Sequence, residues 1–250
     1  MLKWIDAHCH LTDPGLGNWE SLLLDAEAHG VAYFLQGGVQ PSEWRQQEVL
    51  AQKYPAAIGL VFGVHPWQHP GYKNAVTELE LRLQESGNNV VALGEMGLDY
   101  HTARNETERS EQRSSFRSQL ALAKTVNKPI VIHCVKAHND ILAILKELSW
   151  QGKGLVHGFT SSLQVAKSYA ERGLAVGIGP RFLKARSFRS FATWQDVPWV
   201  LESDAPFQGI ALANPLVTVV EVARQLAENS RIPIATINRQ ANRTFADLFR

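Results

Sequence analysis

Val90-Val91-Ala92-Leu93-Gly94-Glu95, then the segment Thr107 to Val126, then Pro129-Ile130-Val131-Ile132-His133, read in order as strand, helix and strand. The outer runs are short, apolar and rich in β-branched residues, as buried parallel strands are. In the segment between them Phe116, Leu120, Ala123 and Lys124 fall at three-to-four spacing, which lines them along one side of a helix. Pro129 marks the boundary, because proline disfavours helical backbone at the residue before it.

The same alternation runs outward in both directions. Further strands are expected at Leu2 to Ile5, Val31 to Leu35, Ile58 to Phe62, Gly154 to Val156, Leu174 to Ile178 and Trp199 to Leu201, each closely followed by Gly, Pro, His or Asp. Helical patterns occupy Ser42 to Lys53, Ala75 to Glu85, His138 to Leu148 and Leu163 to Arg172. Two more, Leu216 to Glu228 and Ile234 to Leu248 behind Pro233, come after the last strand. Eight strands alternating with helices, without a linker, a low-complexity stretch or a solenoid-length repeat, predict an α/β chain. The architecture expected is one (β/α)8 TIM barrel over residues 1–250.

Composition narrows the setting. At 45% hydrophobic and 20% charged, the 250 residues can bury one large core. No run approaches about 18 consecutive apolar residues, and no basic patch followed by an apolar stretch opens the chain, so neither a membrane span nor a secretion signal is expected. Cys9 and Cys134 are the only cysteines, too few for a disulfide framework, which suits a cytoplasmic protein. A formal charge of +1 excludes strong global attraction to nucleic acid, so any such binding must be local.

Active sites of such barrels form at the C-terminal ends of the strands. The residues just behind each strand are therefore decisive. His8 and His10 come after the first, His65 after the third, Glu95 after the fourth, His133 after the fifth, His157 after the sixth and Asp204 after the eighth. Isolated, each reads as an ordinary loop residue; together, histidines with no structural reason to share one face converge on one mouth. The two-residue spacing of His8 and His10 points both rings the same way along extended chain. Imidazoles and carboxylates suit zinc, manganese and similar divalent ions, and a shared carboxylate would hold two ions roughly 3.5 to 4 Å apart. One ion is assigned His8, His10 and Asp204; the other takes His133 and His157, with Glu95 bridging. Asp204 is the expected general base, with Glu202 its nearest competitor. Cys9 and Cys134 alternate away from the histidines and are assigned to packing.

Several segments in order resemble the TatD-type metal-dependent deoxyribonucleases, which belong to the amidohydrolase-like barrels. They are Ile5-Asp6-Ala7-His8-Cys9-His10-Leu11, Gly63-Val64-His65-Pro66, Gly94-Glu95-Met96-Gly97-Leu98-Asp99-Tyr100, Gln112 with Phe116, Ile132-His133, His157-Gly158-Phe159-Thr160, Glu202-Ser203-Asp204-Ala205-Pro206, and Asn242 with Phe245. The resemblance implies a metal-dependent hydrolase barrel with two divalent ions at His8, His10, Glu95, His133, His157 and Asp204, active with Mg2+ or Mn2+ and also able to capture Zn2+. It implies hydrolysis of phosphodiester bonds in DNA, often 3′ to 5′ on single strands. No membrane association and no obligate protein partner are expected. His65 reads as a donor to a substrate phosphate oxygen or leaving group, or else as a ring bonded to its own loop. By the family pattern Asp99 orients a ligand or loop, while Tyr100 and His101 are candidate substrate contacts.

Phosphates that are not cleaved need cations of their own. Arg181-Phe182-Leu183-Lys184-Ala185-Arg186-Ser187-Phe188-Arg189 interleaves four basic residues with two phenylalanines, a pattern for phosphate contact with base stacking or for a solvated amphipathic segment. Trp67 is a further stacking candidate. The chain departs from the family pattern here: Val135 stands where many relatives carry Arg, and Ala213 precedes Asn214-Pro215 where they commonly place Arg. Lys136 or Arg181 would then substitute, although lysine cannot reproduce a bidentate guanidinium contact. The competing functions are a carboxylic or aminoacyl ester hydrolase, such as a D-aminoacyl-tRNA deacylase, and a scaffold with structural metals. A basic groove leading from the metals favours a polymer; a closed, neutral pocket favours a small ester.

Overall fold

The computed structural model describes residues 2–68, 72–85, 90–208 and 214–249. Eight parallel strands, β1 (Trp4–Cys9), β2 (Val31–Gln36), β3 (Ile58–Phe62), β4 (Val90–Asp99), β5 (Ile130–Val135), β6 (Gly154–Val156), β7 (Leu174–Ile178) and β8 (Trp199–Leu201), pair in sequence order. Helices α1 (Trp19–Ala28), α2 (Pro41–Lys53), α3 (Tyr72–Glu85), α4 (Glu106–Thr125), α5 (His138–Glu147) and α6 (Leu163–Ala170) succeed the first six strands. Between β7 and β8 the chain makes 3-10 turns, Phe182–Lys184 and Arg186–Thr193. Helices α7 (Thr218–Ser230) and α8 (Ile234–Phe249) come after β8. The result is the (β/α)8 barrel expected.

The seam between β8 and β1 is bridged at its C-terminal end: Asp204 N donates to His8 O and His10 N to Ala205 O, both at 2.8 Å. Below them Asp6 accepts from Ser203 N (2.9 Å), Ser203 Oγ (2.5 Å) and His8 N (3.2 Å). Burial raises the Asp6 carboxyl to about 6 against these donors. The barrel is thus closed by the same residues that carry the candidate ligands.

Inside, one buried side chain from each strand, Ala7, Leu35, Val61, Ala92, Val131, Leu155, Ala175 and Val200, packs into a cluster of its own. Phe245 and Leu248 of α8 join it, so the last helix plugs the barrel at the end away from the mouth. Phe245→Ala is expected to destabilise the fold by about 3–5 kcal/mol, the usual cost of emptying a buried aromatic position. Urea denaturation measures it; a loss under about 1 kcal/mol would mean that α8 is not the plug.

Four strands run further than the apolar pattern predicts, β2 by the single residue Gln36, and in the other three His8, Glu95 and His133 lie within β1, β4 and β5 instead of behind them. The cause is physical: at the mouth the inward positions carry polar side chains, so hydrophobicity stops while backbone pairing continues. Gly97 pairs with His133 at φ +141°, and a Cβ there would lie 2.0 Å from His133 O, so β4 can continue beside β5 only with glycine at this position. Helix α1, which no pattern predicts, starts at Asn18, whose side chain accepts from Ser21 N.

Candidate metal centre

His8, His10, His65, Glu95, His157 and Asp204 are buried and His133 nearly so, all gathered at the C-terminal mouth. Glu95 organises them. Its Oε1 lies 3.4 Å from His8 Nε2 and 3.2 Å from His10 Nε2, while its Oε2 lies 2.8 Å from His157 Nε2, 3.7 Å from His133 Nδ1 and 3.9 Å from His65 Nε2. The two oxygens of one carboxylate therefore face two different sets of imidazoles. Asp204 closes the first set, with Oδ1 at 3.7 Å from His8 Nε2 and 3.3 Å from His10 Nε2. Its Oδ2 accepts from Gln208 Nε2 at 2.8 Å.

The donor set fits divalent cations. Three overlapping groups, His8 with His157 and Asp204, His8 with His10 and Glu95, and His65 with Glu95 and His133, each bring ligand atoms within 4.8 Å of one another. Among the described residues, both ring nitrogens of His8, Nδ1 of His157 and Oε1 of Glu95 are buried without a hydrogen-bond partner. Buried polar atoms left this way are costly, and a divalent cation would satisfy Glu95 Oε1 together with one ring nitrogen of His8. Burial opposes ionisation of Glu95 and Asp204, yet the surrounding imidazoles outweigh it and hold both carboxyls well below the usual range. Against its own burial, His10 is pushed up to about 9 by Glu95 and Asp204.

His133 is held from behind. Its Nε2 lies 3.3 Å from Asp99 Oδ2, leaving Nδ1 toward Glu95 and 3.1 Å from His157 Nε2. Asp99 in turn accepts from Trp67 Nε1 (2.8 Å), His101 N (2.9 Å) and Thr102 N (3.0 Å), a carboxylate–histidine pair of the kind that fixes a ligand's ring and tautomer. His65 differs from the other histidines. Trp67 N donates to its Nδ1 at 3.2 Å, so the proton sits on Nε2, and burial, with His133 adding, keeps the ring neutral. That leaves an N–H aimed at the centre.

Glu202 does not share the ligand positions of Asp204. Its Oε1 accepts from Gly158 N at 2.5 Å, and it lies against Gly177, where a Cβ would stand 2.0 Å from Oε2. Burial, with Asp204 adding, pushes its carboxyl well above the usual range. Cys9 is fully buried in the core, whereas Cys134 is partly buried with Sγ 3.2 Å from His138 Nδ1.

The flanks of the centre decide between the two readings of the segment Arg181 to Arg189. Phe182 is buried against Phe191 and Trp194, with centroids at 5.9 and 5.2 Å, and Phe188 is half-buried behind it. Fully buried Phe182 has no face for a base, because core packing takes the aromatic side of that segment. Its cations stay outside: Arg181 and Lys184 line a cavity of about 370 Å³ with Pro180, Leu183, Phe207, Gln208 and Gln225. Lys136, exposed and at φ +55°, borders a second cavity of about 380 Å³ with Tyr100, His138, Asp140 and Ser161. Tyr100 donates to Asp140 Oδ2 at 2.5 Å, while His101 is exposed. Ala213 lies outside the described residues; Asn214 donates to Leu22 O and Asp25 Oδ2.

Two contributors escape motif reading. Phe207 packs edge-on against His10 at 5.0 Å. Gly37, just past β2, acts by lacking a side chain: a Cβ there would lie 2.7 Å from His8 Cε1 and 3.1 Å from both Glu95 Oε1 and His10 Cε1. A glycine directly behind a strand that carries no ligand is the available signal. Gly37→Ala is expected to weaken metal binding and turnover by about 10- to 100-fold while leaving cooperative unfolding intact, since displaced ligand rings cost affinity on that scale. Calorimetric titration with Mn2+ checks this, and wild-type affinity would refute it.

A family model described as TatD related DNase matches residues 5–250. The chain belongs to this family. It is thereby a metal-dependent hydrolase. The metal-dependent hydrolase YjjV of Escherichia coli (strain K12) is 29% identical over 209 residues, covering 82% of this chain and 80% of that protein. A relative named 3′-5′ ssDNA/RNA exonuclease TatD, from Pectobacterium carotovorum subsp. carotovorum (strain PC1), is 32% identical over 193 residues, or 75% of this chain and 73% of that one. The crystal structure of YjjV, a TatD homologue, matches with a TM-score of 0.86 at 26% identity, covering 98% of this chain and 97% of the other. A TatD family hydrolase from Entamoeba histolytica has the same fold, with a TM-score of 0.87 at 20% identity, covering 99% and 98%.

Proposed function

We propose that this member of the TatD-related family is a metal-dependent nuclease that removes nucleotides 3′ to 5′ from single-stranded DNA. The names of its relatives support a nuclease over an ester hydrolase and extend the candidate substrates to RNA. The observation that carries the reading is Glu95, whose two oxygens face separate imidazole sets and so suit one carboxylate shared between two divalent ions. His8, His10 and Asp204 would hold one ion and His133 and His157 the other. Mg2+ or Mn2+ is the working metal by family pattern, with Zn2+ an alternative occupant of the same ligands. When bound, such ions supply Lewis acidity and acidify water near neutral pH.

Each protein group has its own part. Asp204 takes the proton of the attacking water, while Gln208 fixes its second oxygen. The Nε2–H of His65 donates to a phosphate oxygen or to the departing group. Asp99 and Trp67 hold His133 in its ligand orientation. Lys136 and Arg181 border open cavities and neutralise phosphates that are not cleaved. Cation-lined cavities open to solvent suit a polymer better than a small neutral ester. No helix among the described residues is long and apolar enough to cross a membrane. The reduced pair Cys9 and Cys134 fits action in the cytoplasm, with residues 1–250 working as one unit.

The test offers single-stranded DNA, duplex DNA, RNA, a generic phosphodiester and an aminoacyl ester to protein reconstituted with each metal in turn. Stepwise loss of 3′ nucleotides from single strands, abolished by a chelator and restored by Mg2+ or Mn2+, is expected. Hydrolysis of the aminoacyl ester alone would replace this reading with the ester hydrolase.

A further inference from the structure

The histidine rings at the mouth form a continuous ladder with an aromatic side chain at each end. Trp67 contacts His65 at 4.5 Å between centroids, and His65 contacts His133 at 4.3 Å. His133 meets His157 at 5.2 Å, His157 meets His8 at 4.1 Å, and His8 meets His10 at 4.9 Å. His10 meets Phe207 at 5.0 Å. The inner rings are covered. Trp67 and Phe207 are 49% and 46% exposed, and they are the only aromatics among the exposed large hydrophobics of the described residues. An isolated apolar side chain on a surface needs no explanation. Here both exposed rings abut the candidate metal centre, on the loops behind β3 and β8.

We propose that Trp67 and Phe207 are stacking platforms for two unpaired bases, one on each side of the phosphate held at the centre. This rests on the nuclease reading and specifies how the strand is gripped. Aromatic faces accept any base, so grip of this kind is sequence-tolerant. Arg181 and Lys184, which share a cavity with Phe207, neutralise the phosphate next to the base that stacks there. Successive bases in a duplex stack about 3.4 Å apart. Two platforms separated by the whole histidine cluster can be reached only by bases splayed apart, which selects a single strand without any base-edge readout. Trp67 also donates to Asp99, so a positioning role has to be separated from stacking.

The separating measurement compares a short oligothymidylate with an abasic chain of equal length. Both carry phosphorothioate linkages to resist cleavage and are titrated by fluorescence anisotropy into Mg2+-loaded protein. Trp67→Ala and Phe207→Ala should each weaken oligothymidylate binding roughly tenfold, the scale of one lost base–aromatic stack, and abasic binding by less than about twofold. Trp67→Phe, which loses the bond to Asp99 and keeps a ring, should restore base-dependent binding, as should Phe207→Tyr, while Phe207→Leu should not. On cleavable single-stranded DNA the loss should fall mainly on KM. Thermal melting confirms that each variant folds. Equal losses on both ligands, no loss on either, or a Trp67→Phe variant as weak as Trp67→Ala would overturn the proposal. Wild-type protein that degrades no nucleic acid with any metal would instead overturn the nuclease reading itself.

Discussion

Replacing Glu95 with Gln should lower turnover at least about 10³-fold, a loss of about 4 kcal/mol of transition-state stabilisation. The reason lies in the division of labour between its oxygens. A carboxylate offers an acceptor to each imidazole set, whereas an amide offers one acceptor oxygen and one NH2 group that only donates. Whichever way Gln is turned, either the His8 and His10 side or the His157 and His133 side meets a donor in place of an anion. The variant should bind at most one divalent ion per chain by elemental analysis, and that ion should not sustain hydrolysis. The substitution preserves volume at a buried position, so the fold should survive. Near-normal turnover with a full complement of metal would show that Glu95 is not shared.

Most of the barrel was legible because its strands are apolar where they are buried on both faces. The exact extent of β3, β6, β7 and β8 follows from their hydrophobic runs. The signal failed where function begins. At His8, Glu95 and His133 the strand continues with polar residues, and apolar periodicity reports burial in a core, not backbone pairing. The convergence of ligand-type side chains was still legible, because it depends only on which strand each one trails. What they pair with was not. The Asp6–Ser203 bond joins residues at opposite ends of the sequence, and no local pattern announces it. Phe182 shows the converse limit: alternating basic and aromatic residues do not say which face turns inward, and the aromatic cluster around Trp194 decides it. Gly37 contributes an absence, which no motif built from functional groups can register.

Asp204→Asn should cost about 10²- to 10³-fold in turnover, within the range spanned by a lost general base. Asn is the informative replacement because Asp204 sits at φ +49°, a left-handed conformation that Asn tolerates far better than most side chains. Alanine would confound the result with backbone strain. Asn also keeps an oxygen to face His8 and His10, while its amide turns toward Gln208, whose own amide can reverse to accept. Geometry is thus nearly preserved, and what disappears is one negative charge and one proton acceptor. If Asp204 acts chiefly as the base, metal content stays close to wild type while kcat falls and KM moves little. If it acts chiefly as a ligand, the ion on the His8 and His10 side is lost with the activity, and excess Mn2+ restores part of it. Glu202 supplies the control, since burial holds its carboxyl well above the usual range and its Oε1 accepts from Gly158 N. Glu202→Gln should retain turnover within about tenfold, because a neutral acid exchanged for a neutral amide leaves the charge at the centre unchanged. A Glu202→Gln variant as inactive as Asp204→Asn would transfer the proton-accepting role to Glu202.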